Sequence, residues 1–128
     1  MSAQPISKRP RMLIVEDDED LRICIARLLG TSCDVECASG EDEALAMLDT
    51  GEYDAVLTDY ELEPGLGTQL LEAVRARMPT AKRFLMSGRD EPRAGDPRGW
   101  DEFFQKPFEP RAVLAALVRR APREHDEE

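Results

Sequence analysis

Five short runs of apolar residues divide the chain at regular intervals, and each has the length of a β-strand. The runs predict strands over about 11–16, 33–38, 54–59, 82–86 and 102–106. The first, third and fourth runs are almost continuously apolar, which is typical of parallel strands covered on both faces. We therefore expect a sheet with helices packed on each side.

Amphipathic segments alternate with these runs and carry apolar residues at helical spacing. The predicted helices cover about 19–30, Ser39 to Gly51, about 67–78 and about 110–121. The stripe of the first helix comprises Leu21, Ile25, Leu28 and Leu29. The inward residues of the last helix are predicted to be Val113, Leu114, Leu117 and Val118. Ser39 is the predicted N-cap of the second helix, with Asp42 completing a partial capping box.

This alternation of strand and helix, with short connections, predicts one α/β domain with a doubly wound parallel sheet. A chain of 128 residues is long enough for a single hydrophobic core. Residues 1–10 are predicted to be a disordered lead-in, 11–121 the folded domain and 122–128 a charged, solvated tail.

The net charge of −10 argues against nucleic-acid binding, because no basic surplus exists to neutralise phosphates. No apolar run approaches the ~20 residues of a membrane helix, so membrane insertion is not expected. The first residues lack the apolar core of a secretion signal, which makes the cytoplasm the expected location. Cys24, Cys33 and Cys37 form no metal or redox motif and are interpreted as buried, unpaired thiols.

Polar residues follow four of the predicted strands. They are Glu16 and Asp17 after the first, Asp59 after the third, Ser87 after the fourth and Lys106 after the fifth. The carboxyl ends of parallel strands share one edge of the sheet, where ligands bind in such folds. Three carboxylates, a hydroxyl and a lysine at this edge favour a divalent cation and a phosphoryl group.

Four segments together resemble the receiver domain of bacterial two-component response regulators. They are Leu13-Ile14-Val15-Glu16-Asp17-Asp18, Leu57-Thr58-Asp59-Tyr60, Leu85-Met86-Ser87-Gly88 and Phe103-Phe104-Gln105-Lys106-Pro107-Phe108. The resemblance covers roughly residues 11 to 120. It implies a flavodoxin-like fold whose five strands lie in the order 2-1-3-4-5.

By this resemblance, Asp59 accepts a phosphoryl group from a sensor histidine kinase. A Mg²⁺ ion is then expected on Asp17, Asp59 and the backbone carbonyl of Glu61, with Glu16 acting through water. Lys106 is expected to contact the phosphoryl group, and Ser87 to donate a hydrogen bond to it. The resemblance also implies a switch that couples Ser87 to an aromatic residue on the last strand, Phe103. A plain core role for Phe103 is the alternative.

The chain departs from the family pattern in two places. Proline usually stands four residues after the phosphoryl acceptor, but here Glu63 does, and Pro64 follows. The stretch 88–100 contains two prolines and three glycines where a helix belongs, so we expect at most one helical turn near 90–94. Trp100 is expected either to pack in place of that helix or to form an exposed partner contact.

Glu61 and Arg89 each lie two residues beyond a site residue and should flank the opening of the site. A pair between them would hinder water from reaching an aspartyl phosphate. Gly88, beside Arg89, leaves room for the phosphoryl donor.

The sequence therefore predicts a stand-alone receiver, a phosphorylation switch rather than an enzyme. It would signal by binding a downstream protein or by passing phosphate to a phosphotransfer protein. Two alternatives are a pseudo-receiver that binds partners without phosphorylation and a Mg²⁺-dependent hydrolase with Asp59 as nucleophile.

Overall fold

The computed structural model describes residues 9–62, 65–92 and 99–119. Its centre is a five-stranded sheet in the order β2-β1-β3-β4-β5, in which every neighbouring pair is parallel. The strands are β1 (Arg11–Val15), β2 (Asp34–Ala38), β3 (Ala55–Asp59), β4 (Lys82–Ser87) and β5 (Glu102–Gln105). The predicted sheet order is therefore confirmed.

Four helices cover the two faces of this sheet within the described part of the chain. They are α1 (Glu19–Leu29), α2 (Glu41–Thr50), α3 (Gly67–Arg77) and α4 (Pro110–Val118). Residues of α2 and α3 pack on one face, and residues of α1 and α4 pack on the other. Strands β1 and β3 are buried almost throughout, as expected for strands covered on both sides. No helix in the described ranges is long and apolar enough to cross a membrane.

The first helix begins at a cap that fixes the turn after β1. The backbone N–H of Leu21 donates to Asp18 Oδ1 at 3.0 Å, so Asp18 is the N-cap residue. At the other end, Gly30 is the C-cap. Arg9 also donates from its guanidinium to the carbonyl of Gly30 at 2.7 Å and to that of Cys33 at 2.8 Å. The predicted lead-in, residues 1–10, lies largely outside the described residues, but Arg9 contacts the fold.

Three predictions about the helices are wrong. Ser39 does not cap α2, which begins at Glu41 after the N-cap residue Gly40. The N–H and the hydroxyl of Ser39 both donate to Glu43. Leu28 is 48% exposed, since Ile25 and Leu29 alone carry the fully buried line of α1. Val118 is 80% exposed because it ends α4.

The connection between β4 and β5 contains no helix in its described parts, 88–92 and 99–101. The predicted turn near 90–94 falls partly outside the described residues, and residues 90–92 are not helical. Trp100 is 5% exposed and packs in the core beneath α2 and α3. The packing role of Trp100 is confirmed, and the exposed partner contact is not found.

The three cysteines are unpaired, as predicted. Cys33 is buried and Cys37 half-buried, but Cys24 is exposed on α1, so the interpretation of all three as buried thiols is wrong for Cys24. The helix turns Cys24 away from the line of Ile25 and Leu29 that faces the sheet.

Candidate functional site

The predicted site residues meet at the carboxyl edge of the sheet. Lys106, just after β5, extends its ammonium group across the end of β4. Its Nζ lies 2.9 Å from Glu16 Oε1 and 3.3 Å from Asp59 Oδ1. The strand order explains the meeting, because β1 and β3 are neighbours and only β4 separates β3 from β5.

Burial makes these charges dependent on one another. Glu16 is 1% exposed and Asp59 is 7% exposed. A buried carboxylate is stable only when paired or hydrogen-bonded, and Lys106 supplies the positive charge to both. The site therefore consists of two buried anions held by one cation.

Glu16 uses both carboxylate oxygens within the protein. Oε1 accepts from Lys106, and Oε2 accepts from the backbone N–H of Asp18 at 3.0 Å. The backbone carbonyl of Glu16 in turn accepts from Arg22 Nη1 at 2.8 Å. These contacts hold the turn that carries Asp17, which points to solvent.

The geometry fits a small divalent cation. Glu16, Asp17 and Asp59 each offer a carboxylate oxygen, and these oxygens lie within 4.8 Å of one another. Oxygen ligands of this kind suit hard cations such as Mg²⁺. Both oxygens of Glu16 are already hydrogen-bonded and Asp59 is paired with Lys106, so the exposed carboxylate of Asp17 is the most available of the three to a cation.

The environment shifts the protonation equilibria of the three charged groups. Burial raises the pKa of Asp59, although the positive charge of Lys106 opposes the rise. Burial likewise raises the pKa of Glu16, and Lys106 again opposes it. Burial alone would lower the pKa of Lys106, but its hydrogen bond to Glu16 and the charge of Asp59 outweigh burial and raise that pKa. Lys106 is therefore firmly cationic.

The loop after β3 is fixed by a close backbone approach. The N–H of Gly67 donates to the carbonyl of Tyr60 at 2.6 Å. A Cβ atom on Gly67 would lie 2.1 Å from the backbone oxygen of Asp59, so only glycine fits there. The nearby backbone N–H of Glu61 acts to lower the pKa of the Asp59 carboxylate. Glu63 and Pro64, where the loop departs from the family pattern, lie outside the described residues.

Ser87 ends β4, and its hydroxyl accepts a hydrogen bond from the backbone N–H of Arg89 at 3.0 Å. Arg89 Nε lies 3.2 Å from Glu61 Oε2, so the pair predicted from the sequence forms. Gly88 lies beside open space, with no atom within 4 Å of where a Cβ would stand.

Phe103 is half-buried and packs against the core cluster that contains Trp100.

Two contributors to the site were not predicted from the sequence. Arg22 supports the turn after β1, and Glu91 accepts a hydrogen bond from the indole Nε1 of Trp100 at 2.8 Å. The position of Arg22 in the first turns of α1, close to the acidic end of β1, is the feature of the sequence that could have indicated this role. Nothing in the sequence pattern indicated that Glu91 and Trp100 pair.

A family model described as "Response regulator receiver domain" matches residues 12–118. Among curated proteins, Protein PetR of Rhodobacter capsulatus is 33% identical over 130 residues, covering 95% of this chain and 52% of PetR. The transcriptional regulatory protein TcrA of Mycobacterium tuberculosis is 32% identical over 120 residues, covering 88% of this chain and 47% of TcrA. The chain thus spans about half the length of these relatives.

Solved structures share the fold. A CheY-like response regulator receiver domain protein from Methanospirillum hungatei superposes with a TM-score of 0.78 at 27% identity, covering 86% of this chain and 91% of its own. The response regulator TrrA from Thermotoga maritima, in complex with Mg²⁺ and a beryllium fluoride, has a TM-score of 0.75 at 24% identity, covering 85% of this chain and 99% of TrrA.

Proposed function

This chain belongs to the response regulator receiver domain family, and we propose that Asp59 is its phosphoryl acceptor, with a sensor histidine kinase as the donor. The observation that carries the proposal is the position of the Asp59 carboxylate. It lies at the carboxyl end of a central strand, 3.3 Å from the ammonium of Lys106 and within reach of two further carboxylates. The ammonium of Lys106 and a cation held by the carboxylates would stabilise the negative charge of the transferred phosphoryl group. Phosphoryl transfer depends mainly on such stabilisation and on positioning.

In the proposed step, an oxygen of Asp59 attacks the phosphorus of a phosphohistidine. The phosphorus–nitrogen bond breaks as the phosphorus–oxygen bond to Asp59 forms, and the imidazole departs. Asp59 must be ionised to attack. Burial disfavours its ionisation, and the positive charge of Lys106 offsets part of this effect. Lys106 would then contact the transferred phosphoryl group, and Ser87 would donate a hydrogen bond to one of its oxygens.

Asp17, Asp59 and the backbone carbonyl of Glu61 would hold a Mg²⁺ ion, with Glu16 acting through water. When bound, the ion supplies positive charge that offsets the repulsion among the carboxylates and the incoming phosphoryl oxygens. The hydrogen bonds of Glu16 to Lys106 and Asp18 support an indirect role for Glu16.

The phosphorylated chain would act as a switch rather than an enzyme. We expect it to bind a downstream protein or to pass phosphate to a phosphotransfer protein. Ser87 and Phe103 are the residues expected to change conformation on phosphorylation. The folded receiver would comprise 11–121, between a lead-in of 1–10 and a charged tail of 122–128. A cytoplasmic location and the absence of nucleic-acid binding follow from the donor class and the net charge of −10.

Intact-mass measurement after incubation with acetyl phosphate tests the proposal. We expect one added phosphoryl group on the wild type in the presence of Mg²⁺, and none on Asp59→Asn. Asp49→Asn, at a surface aspartate paired with Arg77, is the matched control and should still be modified. If the wild type gains no phosphoryl group and also fails to bind beryllium fluoride with Mg²⁺, the chain is a phosphorylation-independent binding module instead.

A further inference from the structure

Trp100 is anchored firmly on both sides by one residue of β4. Arg83 Nη1 donates to the carbonyl of Gly99 at 3.0 Å, and the backbone N–H of Arg83 donates to Asp101 Oδ2 at 2.9 Å. The N–H of Asp101 returns a bond to the carbonyl of Arg83 at 2.6 Å. The indole itself is buried in the core beneath α2 and α3. Trp100 is therefore held in position by its burial and by the hydrogen bonds of its two chain neighbours.

The segment 88–91 contrasts with this anchor, because all four of its residues are exposed. Among the described residues, three contacts involving side chains hold the segment. The N–H of Arg89 donates to Ser87 Oγ, the guanidinium of Arg89 pairs with Glu61, and Glu91 accepts from the indole of Trp100. Only the last of these joins the segment to the hydrophobic cluster that contains Trp100.

The first two contacts lie at the phosphorylation site. A phosphoryl group on Asp59 carries a charge of about −2 in place of the single negative charge of the carboxylate, and the added negative charge attracts the guanidinium of Arg89. The Ser87 hydroxyl would reorient to donate to the new oxygens. Both changes act on the two contacts that hold the start of the segment, and Glu91 lies only two residues beyond Arg89.

We propose that the hydrogen bond between Trp100 and Glu91 is a latch that holds segment 88–91 in its unphosphorylated arrangement. The inference rests on the proposed phosphorylation of Asp59. Latch and phosphoryl group favour different arrangements of one segment, so each weakens the other by the same factor. Glu91 and Trp100 are thus positioning residues that act on the site through Ser87 and Arg89.

The test compares Glu91→Ala and Trp100→Phe with the wild type. Each variant removes one side of the hydrogen bond, and Trp100→Phe changes no charge. Both should bind beryllium fluoride with Mg²⁺ about fivefold more tightly, the factor that corresponds to one hydrogen bond of typical strength. The double variant should show no further gain, because both substitutions remove the same hydrogen bond.

Two controls separate the latch from general effects. Asp90→Ala removes the neighbouring exposed carboxylate, and its affinity should stay at the wild-type value. Glu91→Gln keeps an accepting oxygen and should also stay near the wild type. In addition, the emission of Trp100, the single tryptophan of the chain, should change when the wild type binds beryllium fluoride.

The outcomes are distinguishable. If the wild type binds beryllium fluoride but folded Glu91→Ala binds it no more tightly than Asp90→Ala does, the latch is overturned and the proposed function stands. If the wild type neither binds beryllium fluoride nor accepts a phosphoryl group, the proposed function fails and the latch fails with it.

Discussion

Lys106 and Glu16 lie 90 positions apart in the chain, yet Lys106 Nζ is 2.9 Å from Glu16 Oε1. Lys106 also neutralises Asp59, so one ammonium group serves two buried carboxylates. The same residue that would stabilise a phosphoryl group therefore also stabilises the site before phosphorylation.

Replacing Lys106 with methionine should lower the free energy of unfolding and abolish phosphorylation. The loss of stability is expected to be about 3 kcal/mol, because two buried carboxylates lose their counter-charge. The measurements are urea unfolding and intact mass after acetyl phosphate. The double variant Glu16→Gln/Lys106→Met should regain part of the stability but no phosphorylation. Wild-type stability in Lys106→Met would contradict the shared role of Lys106.

The pair between Glu61 and Arg89 should slow the loss of phosphate from Asp59. Both side chains are largely exposed, so the pair adds little stability, and its effect would be to hinder water sterically. Glu61→Ala/Arg89→Ala should dephosphorylate severalfold faster than the wild type, with unchanged urea unfolding. Phosphate loss followed by mass spectrometry provides the rate. The idea fails if the double variant keeps its phosphate as long as the wild type.

Gly67→Ala should displace the backbone that carries Asp59. The new Cβ would lie 2.1 Å from the carbonyl oxygen of Asp59, so the loop or the strand end must move. We expect a loss of at least about 2 kcal/mol of stability and slower phosphorylation, measured by urea unfolding and acetyl phosphate kinetics. Gly40→Ala is the matched control, because its Cβ meets no atom within 4 Å. Equal losses in the two variants would refute the steric explanation.

The hydrogen bond from Tyr53 to Glu36, 2.6 Å long, should make stability depend on pH at both extremes. Burial and the hydrogen bond raise the pKa of Tyr53 to about 12, so its contribution is complete below ~10 and disappears as pH rises through about 12. The hydrogen bond lowers the pKa of Glu36, so its contribution is present above ~4.3 and disappears as pH falls through the lowered value.

Tyr53→Phe should therefore be less stable than the wild type by about 1 kcal/mol near neutral pH. The difference should shrink in strong acid and in strong base. Urea unfolding of both proteins across this range measures it. A difference that is constant with pH would indicate a packing effect of the hydroxyl rather than the hydrogen bond.

The strands and the convergence of the site could be predicted because both follow from simple constraints. A parallel sheet brings all carboxyl strand ends to one edge, so Glu16, Asp59 and Lys106 had to approach each other once the strands were identified. The pair of Glu61 with Arg89 followed from the same argument. The sheet order itself came from the resemblance to a known family.

Other features depend on contacts that leave no pattern in the sequence. Helical spacing marked Leu28 and Val118 as inward, but the width of the buried stripe is set by how each helix sits on the sheet. Ser39 had the chemistry of a cap, yet α2 begins one residue later, at the N-cap Gly40, and the Ser39 hydroxyl donates to Glu43. The hydrogen bond between Glu91 and Trp100 joins two residues across a connection whose path the sequence does not determine.

At the amino edge of the sheet, opposite the site, two basic side chains cap the ends of helices. Arg9 caps the end of α1, and the ammonium of Lys82 donates to the last carbonyls of α4, including that of Leu117 at 2.6 Å. Neither cap lies near Asp59, because all five strands run the same way and separate the two edges. Substitutions at Arg9 or Lys82 should therefore change thermal stability while leaving the phosphorylation site intact.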